Sequence, residues 1–280
     1  MVYPIMTPSH LFKDKYNNTN VYVDMNTSMF ISQETVTILV RKVNYSKFSN
    51  KDYVCYDTPT SIYCKIECSL KNDHLDLDNA TYKELTYTYN IPTYSSYWTG
   101  LEDIRFVNED KLLVIIPECN PNGNPSIFIA NAAMNQFVAC EPSTNEKNWM
   151  PFTDNGVEKV IYSVYPFTLK SLQTSYFETI PVTFELPGYH GSTNGIPFQD
   201  AFLFLIHINR ERTYHRWLMY NPTTHHAQVS NEFIFFATSY IEFPCSLCSY
   251  KDTLFVSLGV NDNKSFILEI KQDVMLQMFT

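Results

Sequence analysis

Short apolar runs rich in β-branched and aromatic residues recur along the whole chain, and turn-forming residues bound each of them. The five strongest are Val36–Val40, Leu112–Ile116, Val160–Val164, Phe202–His207 and Leu254–Leu258. Long stretches with helical periodicity are hard to find between these runs. Recurrent short runs of this kind are typical of strands rather than helices, so the sequence predicts an all-β fold.

Most of these runs are followed at hairpin distance by a second run. The partner runs are Ser126–Ala130, Phe167–Leu172, His215–Tyr220 and Ser265–Ile270, and an extra hairpin around Ser61–Cys68 fills the wide first gap. Five such units in 280 residues average about 56 residues each, which suits a four-stranded propeller blade with long loops. We therefore expect residues 1–280 to form one domain, a five-bladed β-propeller. The alternative is a pair of packed β-sandwiches, each of which needs only about 100 residues.

Composition and charge exclude several classes of protein. The seven glycines form neither a dinucleotide-binding nor a P-loop motif. With 45% hydrophobic and 18% charged residues, the chain can bury a core and is not intrinsically disordered. A formal charge of −9 makes nucleic acids and anionic membranes poor partners. No apolar run is long enough to span a membrane, so we expect no membrane span.

The seven cysteines are scattered and odd in number, and residues 1–13 lack the apolar stretch of a signal peptide, so we expect no secretion signal. This pattern predicts reduced thiols and a cytoplasmic location. Cys245-x-x-Cys248 could be half of a zinc site, but no second cysteine or histidine pair completes it. We therefore expect no metal and interpret the two cysteines as small hydrophobic side chains within a strand.

Polar and aromatic residues cluster where the predicted strands begin or end. A propeller places the first strand of each blade around a central funnel, so these clusters should meet in space although they are far apart in sequence. Unit by unit along the chain, the candidates are Arg41, Asn44 and Tyr45, then Glu102, Asp103 and Arg105, then Lys147, Asn148 and Trp149, then Ser192, His207, Tyr214, His215 and Arg216, and finally Glu242 and Asp262. Five glycines, at positions 100, 188, 191, 195 and 259, are also expected to face the funnel.

This mixture of side chains suits a sugar substrate. Aromatic rings match the apolar faces of a sugar ring, and amides and carboxylates match its hydroxyl groups. Five cations could hold a phosphate or diphosphate group: Arg41, Arg105, Lys147, His215 and Arg216. Each residue also has a structural interpretation, since Trp149 and His207 suit a core and Lys147 suits a surface pair with Glu146.

The order of the motifs resembles a known family. The segments GLEDIR, EKNWMPF, a GST-containing loop, LFLIH, YHRWLMY, IEFPCSLC and SLGVND are similar to those of the five-bladed propellers of glycoside hydrolase family 130, the β-mannoside phosphorylases, and still more to their uncharacterised relatives described as glycosyltransferases. The resemblance extends from about Arg41 to Ile270, nearly the whole chain. Two positions depart from the family pattern: Ile104 replaces a proline, and Ser246 stands where a glycine is usual.

The resemblance implies roles for particular residues. Asp103 matches the family's general acid, which passes a proton to the glycosidic oxygen through a sugar hydroxyl while phosphate attacks and inverts the anomeric carbon. Glu102 and Arg105 match its neighbours, and Lys147, Asn148 and Trp149 match a K-N-W motif. His207 matches a histidine that ends an inner strand, and Asp262 matches a late sugar-binding aspartate.

The sequence thus predicts inverting glycosyl transfer of a mannose-type sugar, to or from phosphate or a nucleotide diphosphate. The substrate would be a carbohydrate or sugar phosphate, with phosphate or a sugar nucleotide as co-substrate and no cofactor required. Two alternatives stay open: a non-catalytic propeller that binds glycans or proteins, and a hydrolase in which water replaces phosphate. An enzyme should bury Asp103 at the floor of a pocket near at least two cations, whereas a binding module should leave it exposed or salt-bridged away from a pocket.

Overall fold

The computed structural model describes residues 1–13, 18, 21–47, 53–55, 57–140, 145–174 and 176–280. Strand β1 (Val2–Ile5) comes first and belongs to the last blade. The next strands in chain order are β2 (Val23–Ser32), β3 (Thr35–Val43), a short ribbon of β4 (Tyr45–Lys47) and β5 (Tyr53–Cys55), then β6 (Ser61–Lys71) and β7 (His74–Glu84). The first blade is the antiparallel sheet β2-β3-β6-β7. The extra hairpin predicted around 61–68 is therefore an integral part of this blade.

The second and third blades each follow the chain order. The second consists of β8 (Glu102–Phe106), β9 (Lys111–Ile115), β10 (Ile127–Asn131) and β11 (Phe137–Ala139). The third consists of β12 (Met150–Asp154), β13 (Val157–Ser163), β14 (Thr168–Ser171) and β15 (Phe177–Thr179).

The fourth blade has a divided first strand, and the fifth is closed by the start of the chain. The fourth contains β16 (His190–Gly191) and β17 (Ile196–Phe198), which both pair with β18 (Ala201–Asn209), followed by β19 (Thr213–Tyr220) and β20 (Ala227–Val229). The fifth is formed by β21 (Glu242–Tyr250), β22 (Thr253–Val260), β23 (Lys264–Lys271) and β1. A short helix, α1 (Gln272–Leu276), follows, and 3₁₀ turns occur at Ser9–Leu11, Pro117–Cys119 and Gln277–Phe279.

The five predicted apolar runs are strands, but they are not the innermost strands. They lie in β3, β9, β13, β18 and β22, the second strand of each blade. The axis is instead surrounded by β2, β8, β12, the pair β16 and β17, and β21: β2 packs against β8 and β21, β12 packs against β8, and β17 packs against β21. Although each strong run opens its predicted unit, it is the second strand of its blade and does not line the funnel.

Packing between blades explains why the second strands have the strongest apolar runs in the sequence. In β9, Val114 packs toward the first blade, whereas Leu113 and Ile115 pack toward the third. In β18, Phe204 packs toward the third blade and Leu205 toward the fifth. Because successive side chains of a strand point to opposite faces, a strand buried on both faces is apolar at every position. A fifth cluster, between the fifth and first blades, closes the ring.

The ring of five sheets, four of them four-stranded and the fourth with a divided first strand, confirms the predicted five-bladed propeller and excludes a pair of β-sandwiches. Among the described residues, no helix has the length and apolar character needed to cross a membrane.

Candidate functional site

A cavity of about 880 Å³ opens at one end of the propeller axis, and all five blades contribute to it. Neighbouring strands are antiparallel, so the innermost strands begin at the same end at which the second strands finish: Glu102 pairs with Ile115 and Glu242 pairs with Val260. Predicted residues near the start of an innermost strand and near the end of a second strand therefore lie at the same end of the propeller. Six of the predicted site residues line the cavity: Arg41, Tyr45, Glu102, Asp103, Lys147 and Asp262.

Arg41 is the centre of a buried network at the cavity wall. Its Nη2 donates to Glu102 Oε1 at 2.7 Å and to Tyr45 Oη at 2.9 Å, and its Nη1 reaches Asp103 Oδ1 at 3.2 Å. Its Nε donates to Ser61 Oγ at 2.7 Å. Burial by itself would lower the pKa of Arg41, but the two carboxylates and Tyr45 raise it well above its usual value. The guanidinium is therefore permanently charged and holds two acidic residues together.

Asp103 is placed by a β-bulge in the innermost strand of the second blade. The register between β8 and β9 shifts between Glu102 and Arg105, and Asp103 has φ of +43°. Bulges are common next to functional sites because they redirect a side chain, and aspartate tolerates positive φ better than most residues. Ile104, which replaces the family's proline, is buried, and its N–H points to Tyr63 Oη at 3.4 Å.

Asn26 is the second partner of Asp103. Its Nδ2 donates to Asp103 Oδ1 at 2.7 Å, and it lies in a bulge of β2 between Asp24 and Thr27. Both donors to Asp103, Asn26 and Arg41, bind the same oxygen. Among the described residues, Oδ2 has no hydrogen-bond partner, although the side chain lines the cavity. One carboxylate oxygen is thus fixed by the protein and the other is available to a substrate.

The charge of Glu102 depends on two opposing effects. Burial raises the pKa of Glu102, whereas Arg41 beside it lowers the pKa; burial dominates, and the net pKa lies above the usual value. Burial likewise raises the pKa of Tyr45 despite the neighbouring Arg41. Tyr45 therefore acts as a neutral hydroxyl group in the cavity.

An aromatic wall lies beside the two carboxylates. Trp98 packs edge-on against Tyr45 at 5.1 Å and against Tyr97 at 5.3 Å between ring centroids, and all three line the cavity. Such rings suit the apolar face of a sugar. Tyr97 and Trp98 were not among the predicted site residues, although they closely precede Gly100 in the chain.

The rim of the cavity carries two more arginines that were not predicted, Arg210 and Arg212, in the turn between β18 and β19. Both already have protein partners: Arg210 pairs with Glu232 at 3.0 Å, and Arg212 donates to backbone carbonyls at Phe236 and Ala237. Lys147, in contrast, is exposed and makes no ion pair among the described residues.

Several predicted residues lie behind the cavity wall rather than on it. Arg105 is buried and donates to the Ser192 carbonyl at 2.6 Å, while Ser192 Oγ is 2.7 Å from His207 Nδ1. Trp149 is a core residue whose Nε1 donates to Glu146 at 3.1 Å, and Asn148, just before it, does not line the cavity. Asn44 holds the loop at Thr58 and Thr60 instead of facing the cavity.

Four predicted residues lie outside the cavity. His215 is fully buried, and its Nε2 lies 3.0 Å from Glu242 Oε2. Glu242 also accepts hydrogen bonds from the backbone N–H groups of Phe235 and Phe236. Arg216 donates to the Ser230 carbonyl at 2.6 Å, and Tyr214 binds Glu211. Tyr214, His215 and Arg216 belong to β19, the third strand of its blade, which explains their distance from the axis.

The glycines do not outline the cavity as predicted. Gly123 lines it, whereas Gly100, Gly188, Gly191, Gly195 and Gly259 do not. Gly259 shows the reason, because a Cβ there would overlap Asn26. It serves close packing behind the cavity.

The cysteine pair is packed within the fifth blade. Cys245 and Cys248 are both buried, and burial raises the pKa of Cys248 to about 12. Cys248 lies in the apolar cluster between the fifth and first blades. The described residues contain no group of three or more histidine, cysteine or acidic side chains that could hold a metal ion.

Comparisons with known proteins agree on the fold. No protein-family model matches the sequence, and no curated protein is significantly similar to it. Among solved structures, a β-1,2-mannobiose phosphorylase from Listeria innocua is 14% identical, with a TM-score of 0.64 over 99% of both chains. A glycosyl hydrolase from Bacteroides ovatus is 11% identical, with a TM-score of 0.61 over 90% of this chain and 85% of the other.

A third structure comes from the mannoside phosphorylase family GH130 itself, which contains glycoside hydrolases that target β-1,2-mannosidic linkages in Candida mannan. It is 12% identical, with a TM-score of 0.61 over 90% of this chain and 85% of the other. The resemblance inferred from the sequence is thus confirmed at the level of fold. The chain shares the five-bladed propeller of the GH130 mannoside phosphorylases and related glycoside hydrolases.

Proposed function

We propose that this protein is a carbohydrate-active enzyme that carries out inverting glycosyl transfer on a mannose-type sugar, with Asp103 as the acid or base. The observation that supports this most strongly is the state of Asp103. Its Oδ1 is fixed by Asn26 and Arg41, and Oδ2 is unpartnered among the described residues in a cavity to which all five blades contribute. A carboxylate held in this way can transfer a proton with defined geometry.

The surroundings of Asp103 fit the proposed substrate. Tyr97 and Trp98 offer aromatic surface to a sugar ring, and Glu102 and Asp262 offer carboxylates to its hydroxyl groups. Arg41 contacts the Asp103 carboxylate, and Arg105 donates to its backbone carbonyl at 3.2 Å. The all-β scaffold shared with mannoside phosphorylases supports the same class of substrate. The proposal places the enzyme in the cytoplasm, which agrees with seven free cysteines.

The choice of co-substrate depends on the cations that the cavity offers. Phosphate or the diphosphate of a sugar nucleotide could bind near Lys147, the exposed cation without an ion pair among the described residues. Of the other predicted cations, Arg105, His215 and Arg216 all contact protein groups and do not line the cavity. This observation favours water as a second candidate acceptor, which would make the protein a hydrolase.

The function can be tested with β-1,2-mannobiose and related β-mannosides, incubated with phosphate, with a nucleoside diphosphate, or with neither. We expect an α-configured product by NMR: mannose 1-phosphate, nucleoside diphosphate mannose or free mannose, respectively. Asp103→Asn should lower kcat about 10²- to 10⁴-fold, the usual contribution of a general acid or base. Asp252→Asn, which changes an exposed aspartate paired with Lys271 on the outer surface, is the matched control.

Two results would contradict the proposal. Full turnover by Asp103→Asn would exclude its catalytic role, and a β-configured first product would exclude inversion. A third pattern would favour the non-catalytic alternative: mannosides that raise the melting temperature but yield no product with any acceptor. At 100 times its Kd a ligand should stabilise the protein by about 2.7 kcal/mol, which a thermal-shift assay detects easily.

A further inference from the structure

Two basic side chains, one of them a charged arginine, lie buried directly behind the cavity wall. Arg105 and His207, which we call the inner pair, are 2% and 3% exposed and are both absent from the cavity lining. Arg105 donates Nε to the Ser192 carbonyl and Nη1 to the Asp103 carbonyl, but its Nη2 is buried and has no partner among the described residues. A buried guanidinium N–H without an acceptor is unusual, because leaving a charged donor unsatisfied is costly.

The ring of Phe243 lies against both members of the inner pair. Its centroid is 5.6 Å from Arg105 Cζ and 5.3 Å from the His207 ring centroid. Phe243 is half-buried and lines the cavity, whereas the inner pair does not. The ring therefore forms the wall between the cavity and the two side chains.

This arrangement affects any anion in the cavity. The phenyl ring of Phe243 in front of Arg105 keeps an oxyanion in the cavity from reaching Nη2. No charge-assisted hydrogen bond can therefore form between Nη2 and that anion. His207 adds no positive charge, because burial, together with nearby His215, His190, Arg105 and Lys147, holds its pKa well below the usual value. Lys147 is left as the cavity cation without a protein acceptor among the described residues.

We propose that Phe243 is a specificity-determining residue that closes the inner pair to phosphate, so that the wild-type cavity binds phosphate weakly. The inference deepens the proposed function, on which it rests, by identifying what selects among its acceptors. A smaller residue at position 243 opens Arg105 Nη2 and His207 to the cavity, where Lys147 already stands. Phosphate would then contact two cations, Arg105 through its unused Nη2 and Lys147, instead of one exposed lysine.

Binding of inorganic phosphate, measured by isothermal titration calorimetry on the full chain without any sugar, tests this directly. Phe243→Ala should bind phosphate about 10- to 100-fold more tightly than the wild type, which is the value of one hydrogen bond to a charged group. Phe243→Leu, which keeps an apolar side chain over Arg105, should stay within about threefold of the wild type. Phe177→Ala is the matched control, because it also removes a ring that covers a cation, but away from the cavity. The Phe177 ring centroid is 4.8 Å from Lys170 Nζ in the third blade.

The proposal is overturned if Phe243→Ala binds phosphate no more tightly than the wild type, or if Phe177→Ala gains as much. A second measurement does not depend on the folding of Phe243→Ala. Arg105→Lys in the wild-type background should leave phosphate binding unchanged, and a clear loss would show that the inner pair is already open. Because these titrations contain no sugar, they stand or fall separately from the glycosyl-transfer assays.

Discussion

At the scale of single residues, Arg41 makes the acidic wall of the cavity possible. Its guanidinium bonds Glu102 and Asp103 within a region where both carboxylates are largely shielded from water. Removing one partner of a buried ion pair is strongly destabilising because the remaining charges are left uncompensated. The network therefore contributes to stability and holds the candidate catalytic carboxylate in place.

Replacing Arg41 with alanine should lower the free energy of unfolding by about 3 kcal/mol at pH 7. The deficit should shrink toward pH 4, because the raised pKa of Glu102 lets this carboxyl group take up a proton at a higher pH than usual and relieve the repulsion. Urea unfolding at several pH values measures both effects. Arg210→Ala removes an arginine from a more exposed ion pair with Glu232 and should cost less than about 1 kcal/mol.

His207 makes a second prediction, about pH dependence. Its pKa is well below 6.5 in the folded protein, because burial and the neighbouring cations disfavour the charged form. Above pH 6.5 the histidine is neutral in both the folded and the unfolded chain. As the pH falls below 6.5 only the unfolded chain takes up the proton, so stability decreases by up to about 1.4 kcal/mol per pH unit.

His207→Gln should remove this contribution, and the stability of the variant should fall less steeply than that of the wild type between pH 6.5 and 5. The comparison uses chemical denaturation across that range. Thr224→Ala, a change of a non-titratable residue in an exposed turn, should keep the wild-type slope. Parallel wild-type and His207→Gln curves would show that the histidine is charged in the folded state.

Residue chemistry could be predicted only in part. Polar residues at strand ends converge in any propeller, and this rule was enough to identify six residues of the cavity. They are Arg41, Tyr45, Glu102, Asp103, Lys147 and Asp262. His215 and Arg216 carried the same signal, yet they pair with Glu242 and Ser230 away from the cavity. A sequence gives the residue type but not the partner, and a local partner decides whether a charged side chain can serve a ligand.

At the scale of strands, the site is built where the innermost strands deviate from regular pairing. Bulges occur in β2 at Met25 and Asn26, in β8 at Asp103, and in β21 after Pro244. These polar, irregular strands give no clean alternation, which is why Asn26 was missed. The strongest apolar signal comes instead from the second strands, since both of their faces are buried between blades.

Gly259 in β22 links one strand to the placement of Asp103. A Cβ at this position would overlap the Oδ1 of Asn26, the residue that donates to Asp103, and would crowd its Cα. Gly259→Ala should therefore destabilise the protein by about 1–3 kcal/mol and lower glycosyl transfer by displacing Asn26. Gly156→Ala is a suitable control, because a Cβ there meets nothing within 4 Å.

The control has its own expected cost, since Gly156 has φ of +78° and alanine is strained there. It should lose about 1 kcal/mol of stability without losing activity. The combination of kcat/KM and melting temperature separates the two variants. Equal activity in both would show that Asn26 does not need its present position.

At the scale of the whole molecule, the propeller is a ring that the two ends of the chain close together. Strand β1 pairs with β23 and completes the fifth blade, so the first residues of the chain lie beside the last strand. The number of units in the sequence was enough to predict five blades. The closure was not predictable, because four residues of β1 carry too short a pattern to assign to a distant partner.

Ile5 tests how much this closure contributes to stability. It is 4% exposed and packs in the apolar cluster between the fifth and first blades. Ile5→Ala should lower the free energy of unfolding by about 2–4 kcal/mol, the usual cost of removing a buried isoleucine side chain. Val2→Ala, on the same strand but 51% exposed, should change it by less than about 0.5 kcal/mol. If both variants unfold at the wild-type urea concentration, β1 does not hold the ring closed, and the stability of the propeller resides in the interfaces between its other strands.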